Sequence, residues 1–171
     1  MAKITIRPFA EPDALQVRDL FIKINRALSP PALRDAFEDY IARALTDEID
    51  RIRAYYDERD GGFWVAVSNA QVMGTFGLER AATEAMELRR MYVDPAFRRQ
   101  GIGREMLLFA EDECRRRNVD RLVLSTAEIQ TAALALYRSA GYDLVRSENA
   151  DTLSNKTVGA GLRRYFFEKV L

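Results

Sequence analysis

The period of the apolar residues changes along the chain, and the changes mark its elements. From Lys3 to Phe9 apolar and polar residues alternate, the pattern of a half-buried strand. Over 12–28, Leu15, Leu20, Ile24 and Leu28 fall near one helical face. Ser29-Pro30-Pro31 stops that helix and starts the next, since proline is tolerated at a helix start and not inside. Leu33, Phe37, Ile41, Leu45, Ile49, Ile52 and Tyr56 then recur every three or four residues. That spacing predicts one long amphipathic helix over 32–56, or two broken near Thr46-Asp47.

Gly61-Gly62 closes this helical half, and strands follow: "FWVAVS" (63–68), "QVMGTFGLE" (71–79) and "AMELRRMYV" (85–93). The first two are joined by a turn at Ser68-Asn69-Ala70. By alternation Glu87, Arg89, Met91 and Val93 should share one strand face. A helix is expected from Gly101 to about Asn118, then the strand "RLVLST" (121–126), a helix from about Gln130 to Ala140 and the strand "YDLVR" (142–146). The polar segment 147–161 reads as a mobile loop, and "LRRYFFEKVL" (162–171) as the last strand. The sum is an α/β (α+β) fold with a mixed, mostly antiparallel sheet of about seven strands and helices on both faces. No repeat, low-complexity segment or linker divides it, so 1–171 reads as one domain.

Composition removes several kinds of chemistry. Lys plus Arg and Asp plus Glu both count 26, so the chain lacks the basic excess of a nucleic-acid or anionic-membrane binder. Its apolar runs fall far short of the roughly 20 residues that span a bilayer, and "MAKITIRPF" carries no apolar leader, so a cytoplasmic protein is expected. There is no histidine, which excludes Ser-His-Asp and Cys-His mechanisms. A single cysteine, Cys114, can form neither an internal disulfide nor a thiolate zinc site, so no metal is expected. Its helical spacing with Leu107 and Ala110 reads as a small buried thiol.

One local cluster carries chemistry. Arg98-Arg99-Gln100-Gly101-Ile102-Gly103-Arg104 lies between a strand and a helix. Free N–H groups at a helix start suit a phosphate, glycines let the anion approach the backbone, and the arginines add charge. A turn with a helix cap and solvated arginines would show the same residues. A Walker P-loop would need Gly-Lys-Ser/Thr where Gly103 is followed by Arg104 and Glu105. A Rossmann fingerprint would need a third glycine where Met106 stands, after a strand of a parallel sheet.

The loop does resemble that of the GNAT superfamily of acyl-CoA-dependent N-acyltransferases, with Arg98-x-x-Gly101-x-Gly103 matching the family's Arg/Gln-x-x-Gly-x-Gly/Ala. The likeness extends back through "LRRMYVDP" and forward to "AALALYRSAGYDLV" (132–145), which is similar to the family's Ala-x-x-Leu-Tyr-x-x-x-Gly-Phe segment. Gln130 stands where the family usually has Asn, three residues before Ala133. "LSTAEIQTAALALY" and the terminal "YFFEKVL" also resemble the NAT8-like N-acetyltransferases.

The resemblance implies that acetyl-CoA lies in a V-shaped gap between the strand ending at Val93 and "RLVLST". Its pantetheine would pair with the backbone of Met91, Tyr92 and Val93. Its pyrophosphate would sit on Arg98 to Arg104, with Gln130 and Ala133 nearby. A primary amine would attack the thioester directly, with a backbone N–H near Met91 or Tyr92 on the oxyanion. It implies Tyr137 as the acid for the leaving sulfur and Glu87 as the base. Glu79, Glu84 and Glu128 are lesser base candidates. Ser125 and Thr126 would touch substrate or cofactor, or cap the following turn; Phe63 and Trp64 read as core. The acceptor could be a small amine, amino acid, peptide N-terminus, lysine side chain or aminoglycoside, and a homodimer is compatible with the family. A non-catalytic acyl-CoA-binding or sensing module on the same fold is the alternative, and a binder of another phosphate a second.

Overall fold

The computed structural model describes residues 3–171; Met1 and Ala2, which open the stretch read above as strand-like, lie outside the described residues. Seven strands form one sheet in the order β1-β2-β3-β4-β5-β7-β6. They are β1 (Thr5–Pro8), β2 (Gly62–Ser68), β3 (Gln71–Ala82), β4 (Ala85–Val93), β5 (Arg121–Ala127), β6 (Asp143–Ala150) and β7 (Leu162–Val170). All neighbours pair antiparallel except β4 and β5, which run parallel. This is the mixed, mostly antiparallel sheet expected from the pattern.

One face carries α1 (Ala14–Leu28), α2 (Arg34–Asp47) and α3 (Ile52–Asp57); the other carries α4 (Ile102–Arg116) and α5 (Thr131–Ser139). The α4 side packs Met106, Leu107, Ala110, Cys114, Leu134 and Tyr137 onto Phe76, Leu78, Met86, Leu122 and Phe167 of the sheet. The α1–α3 side packs Val17, Leu20, Ile24, Tyr55 and Tyr56 onto Phe63, Val65 and Val72, and Phe21 onto Tyr40 and Ile41. Phe63 and Trp64 are core, Trp64 stacking on Phe76 at 5.3 Å. Among the described residues, no helix is long and apolar enough to cross a membrane.

Of the two readings over 32–56, the broken one holds: α2 ends at Asp47, and Glu48, where φ is −139°, and a 3-10 turn (Ile49–Arg51) lead into α3. Two details differ from the periodicity. The polar segment expected as a loop from 147 is strand through Ala150, since Ser147–Ala150 pair with Tyr165–Leu162 of β7. A solvent-facing strand beside one neighbour needs no apolar alternation, so its pattern was silent. The remaining loop, 151–161, is tied to the sheet through Asn155, whose carbonyl accepts from Arg90, and Lys156, and Val158 packs against the α1–α2 cluster.

Candidate active site

The parallel ladder between β4 and β5 is three residues long and ends at Glu87 opposite Val123. Beyond it the two strands diverge, and the β5-facing backbone of Leu88–Val93 has no strand partner. A β-bulge sharpens this opening. Between Thr75↔Tyr92 and Gly77↔Arg89, β4 carries one residue more than β3. Arg90 takes φ +54°, and its carbonyl accepts a hydrogen bond from Thr75 Oγ1 at 2.8 Å. The extra residue breaks the alternation expected over 87–93. Glu87, Arg89, Arg90 and Tyr92 turn to the α1–α3 side, whereas Met91 and Val93 pack on the α4 side.

At the far end of the gap, α4 begins at Gly101, with φ +80° and no side-chain cap. A Cβ built on Gly101 meets nothing within 4 Å, so the space before it is open. The first-turn amides of α4 therefore point into that space without a capping acceptor. Gly103 faces the packed side instead, where a Cβ would make ordinary contact with Leu136 at 3.4 Å and Val93 at 3.7 Å. A cavity of about 530 Å³ runs from here along Met91, Tyr92 and Val93 to Gln130, Ala133 and Tyr137. Its walls include Arg98, Arg99 and Arg104, none of which forms an ion pair among the described residues. Ile102 lines it too; Gln100 does not.

A second cavity of about 90 Å³ opens on the other side of Tyr137. Glu87, Arg89, Arg90, Ser125, Thr126, Lys156 and Arg164 line it, and Tyr137, Gln130, Met91 and Tyr92 border both spaces. Tyr137 is held edge-on to Tyr142 and tilted against Phe167. Burial, with a smaller contribution from Tyr92, pushes its phenol well above the ordinary tyrosine value. The hydroxyl takes no hydrogen bond with the described residues, yet is not sealed from the cavities. Among the described residues, no cluster of acidic, cysteine or histidine side chains could hold a metal ion.

The acetyltransferase (GNAT) family profile matches residues 29–142, two-thirds of the chain. The chain belongs to this family. It is 36% identical over 141 residues to the N-acetylaspartate synthetase of Danio rerio, covering 79% of this chain and 48% of that protein. It is 34% identical over 114 residues to human N-acetyltransferase 8, covering 61% of this chain and 48% of that protein. The chain thus spans about half the length of these curated relatives. The fold matches a GNAT-family acetyltransferase from Staphylococcus aureus Mu50 at TM-score 0.76 and 22% identity, covering 99% of each chain. It also matches an N-acetyltransferase from Thermoplasma acidophilum, solved in complex with coenzyme A, at TM-score 0.74 and 20% identity, with 99% of each chain covered.

Against the GNAT motif, eleven of the twelve residues expected to hold the cofactor line the outer cavity, Gln100 being the exception. Gln130 is partly spent inside the protein: its Oε1 accepts from Thr126 Oγ1 at 2.9 Å and from the Ala127 N–H at 3.0 Å. Only its Nε2 is left to face the gap. Glu87 lines the inner cavity, where its carboxylate accepts from Lys156 Nζ at 2.9 Å. Glu84 and Glu128 are exposed and border neither cavity. Glu79 is buried in ion pairs to Arg89 and Lys156. Cys114 is a sealed thiol pushed up to about 11 by burial, the small core residue the spacing suggested.

The sequence reading missed the network beneath the inner cavity. Glu48, fully buried, accepts from Arg89 Nη2 at 2.7 Å, Arg90 Nη2 at 2.9 Å, Asn155 Nδ2 at 3.1 Å and Tyr56 Oη at 2.7 Å. Burial alone would raise its pKa, but the Arg90 and Arg89 guanidinium groups and the Tyr56 hydroxyl hold it down to about 2. Arg90 also donates to Tyr40 Oη at 2.5 Å and to the Asn155 carbonyl. Arg89 donates to Tyr55 Oη at 2.6 Å. The break at Glu48 in the expected helix therefore turns a carboxylate inward beneath the β4 bulge. No local periodicity marks it, because three of its four partners lie 41, 42 and 107 positions away.

Proposed function

We propose that the protein is an acyl-CoA-dependent N-acetyltransferase that moves the acetyl group of acetyl-CoA to a primary amine by direct attack in a ternary complex. One observation carries this: two cavities meet at Tyr137, and the outer one ends on an open helix start ringed by three unpaired arginines. The residues fit acetyl-CoA. Its diphosphate suits the α4 amides and Arg98, Arg99 and Arg104. Its pantetheine amides suit the unpaired edge of β4, as an added strand would. Membership of the GNAT family supports the same reading.

Acetyl-CoA supplies the acetyl group as a thioester. Met91 and Tyr92 hold the carbonyl end of the gap, where fixed backbone N–H donors would favour negative charge on oxygen. The amine nitrogen forms the C–N bond as the C–S bond breaks. Tyr137 keeps its proton at neutral pH because its pKa is raised, so it serves the sulfur as a hydrogen-bond donor. The proton that finally neutralises the sulfur is the one the nitrogen sheds on acylation. Glu87 is the inner cavity's own acceptor for an amine proton, once Lys156 yields its place.

Acetyl-CoA consumption against a panel of primary amines tests the proposal, together with protection against heating by CoA compared with ATP and NAD. Protection by CoA alone with turnover is expected. Protection by CoA without turnover on any amine would instead favour a non-catalytic acyl-CoA sensor. Equal protection by ATP or NAD would defeat the acyl-CoA reading.

A further inference from the structure

The charges around the inner cavity do not balance. Four cations line it: Arg89, Arg90, Lys156 and Arg164. Glu48 answers Arg89 and Arg90; Glu79 answers Arg89 and Lys156; Glu87 answers Lys156. Arg164 is left over. Among the described residues its one side-chain hydrogen bond, Nη2 to Ser125 Oγ at 2.8 Å, is to a neutral group, and no carboxylate pairs with it. Glu148, its neighbour across the β6–β7 ladder, is paired instead with Arg146 at 2.7 Å. Burial lowers the Arg164 pKa, although Tyr40, Tyr92 and Glu87 oppose it. Arginine does not give up its proton in proteins, so the cavity keeps a half-buried positive charge with four unused N–H donors. Such a charge is costly unless an anion meets it.

The anion does not come from CoA. Arg164 lines only the inner cavity, whereas the cradle for the phosphates lies at the other end of the outer one. The inner cavity is also small, about 90 Å³, against the roughly 300–1,000 Å³ of whole-ligand pockets. It therefore takes the head of an acceptor, and that head must bring both an amine and a negative group.

We propose that the acceptor is a small amine carrying a carboxylate, an α-amino acid in its simplest form, and that Arg164, oriented by Ser125, binds that carboxylate. This rests on the acetyltransferase reading. The amine nitrogen attacks the acetyl carbon, the C–N bond forms as the C–S bond breaks, and the nitrogen's proton ends on sulfur. The products are an N-acetyl amino acid and free CoA. Arg164 thereby fixes which end of the acceptor faces Tyr137.

The experiment measures kcat/KM over α-amino acids, each paired with the amine left when its carboxyl group is removed, for wild type, Arg164→Met and Arg164→Lys. CoA affinity is measured by calorimetry on all three. Wild type should prefer the carboxylated member by about 100-fold. Arg164→Met should erase that preference chiefly through KM and leave CoA affinity unchanged, and Arg164→Lys should restore part of it. Three outcomes would overturn the proposal while the acetyltransferase reading survives: equal or better turnover of the decarboxylated amines, an intact preference in Arg164→Met, or normal CoA binding with no carboxylated acceptor acetylated. Loss of CoA binding in wild type would remove both readings.

Discussion

At Tyr137 a motif position and a physical environment can be compared directly. The phenol is enclosed by Tyr142, Phe167 and the α4 side of the sheet, which holds its proton on, yet its oxygen borders both cavities. In the proposed mechanism this phenol donates a hydrogen bond to the departing sulfur. Tyr137→Phe removes the donor and keeps the packing. We expect kcat to fall about 10- to 100-fold with CoA affinity unchanged; turnover at the wild-type rate would strip Tyr137 of this role. The motif could nominate Tyr137, but only the fold shows it buried and placed between the two cavities.

Among the elements, the β2–β3 hairpin shows a local rule followed imperfectly. Ser68 pairs with Gln71, so Asn69 and Ala70 form a two-residue loop, and both take positive φ, +50° and +62°. Asparagine tolerates that region; alanine does not, and glycine is the usual second residue of such a turn. Ala70→Gly should stabilise the protein by about 1 kcal/mol, read as a higher denaturant midpoint with an unchanged slope. It would keep the Ala70 carbonyl that accepts from Gln16 Nε2. A lowered midpoint would show that the strain is absent. The turn was legible from Ser68-Asn69-Ala70. The β4 bulge was not, because Arg90 at φ +54° carries none of the residue types that announce a positive φ. Its conformation is held from outside, by Thr75 Oγ1 on its carbonyl and by Glu48 on its side chain.

Over the whole molecule, Glu48 ties the end of α2, the β4 bulge and the 151–161 loop into one buried unit. Its folded pKa of about 2 lies below the ordinary 4.5, so its stabilisation is present above pH 4.5 and is lost as pH falls toward 2. The loss is on the order of 3 kcal/mol. Comparing denaturant midpoints at pH 7 and pH 3 for wild type and Glu48→Gln reads this one carboxylate against the rest. The variant should start lower, by about 3–5 kcal/mol for a broken buried pair, and fall less steeply with acid; parallel declines would place the acid sensitivity elsewhere. The sequence by itself determined the order of elements, the seven-strand mixed sheet, the family and the glycine-arginine loop at 98–104, because helix periods, strand alternation and short motifs are written in neighbouring residues. The tertiary structure alone decided the inner cavity. Glu48, Glu87, Arg89, Arg90, Lys156 and Arg164 meet only after the sheet is assembled, and whether a charge is answered or left over depends on distances in space that spacing along the chain does not encode.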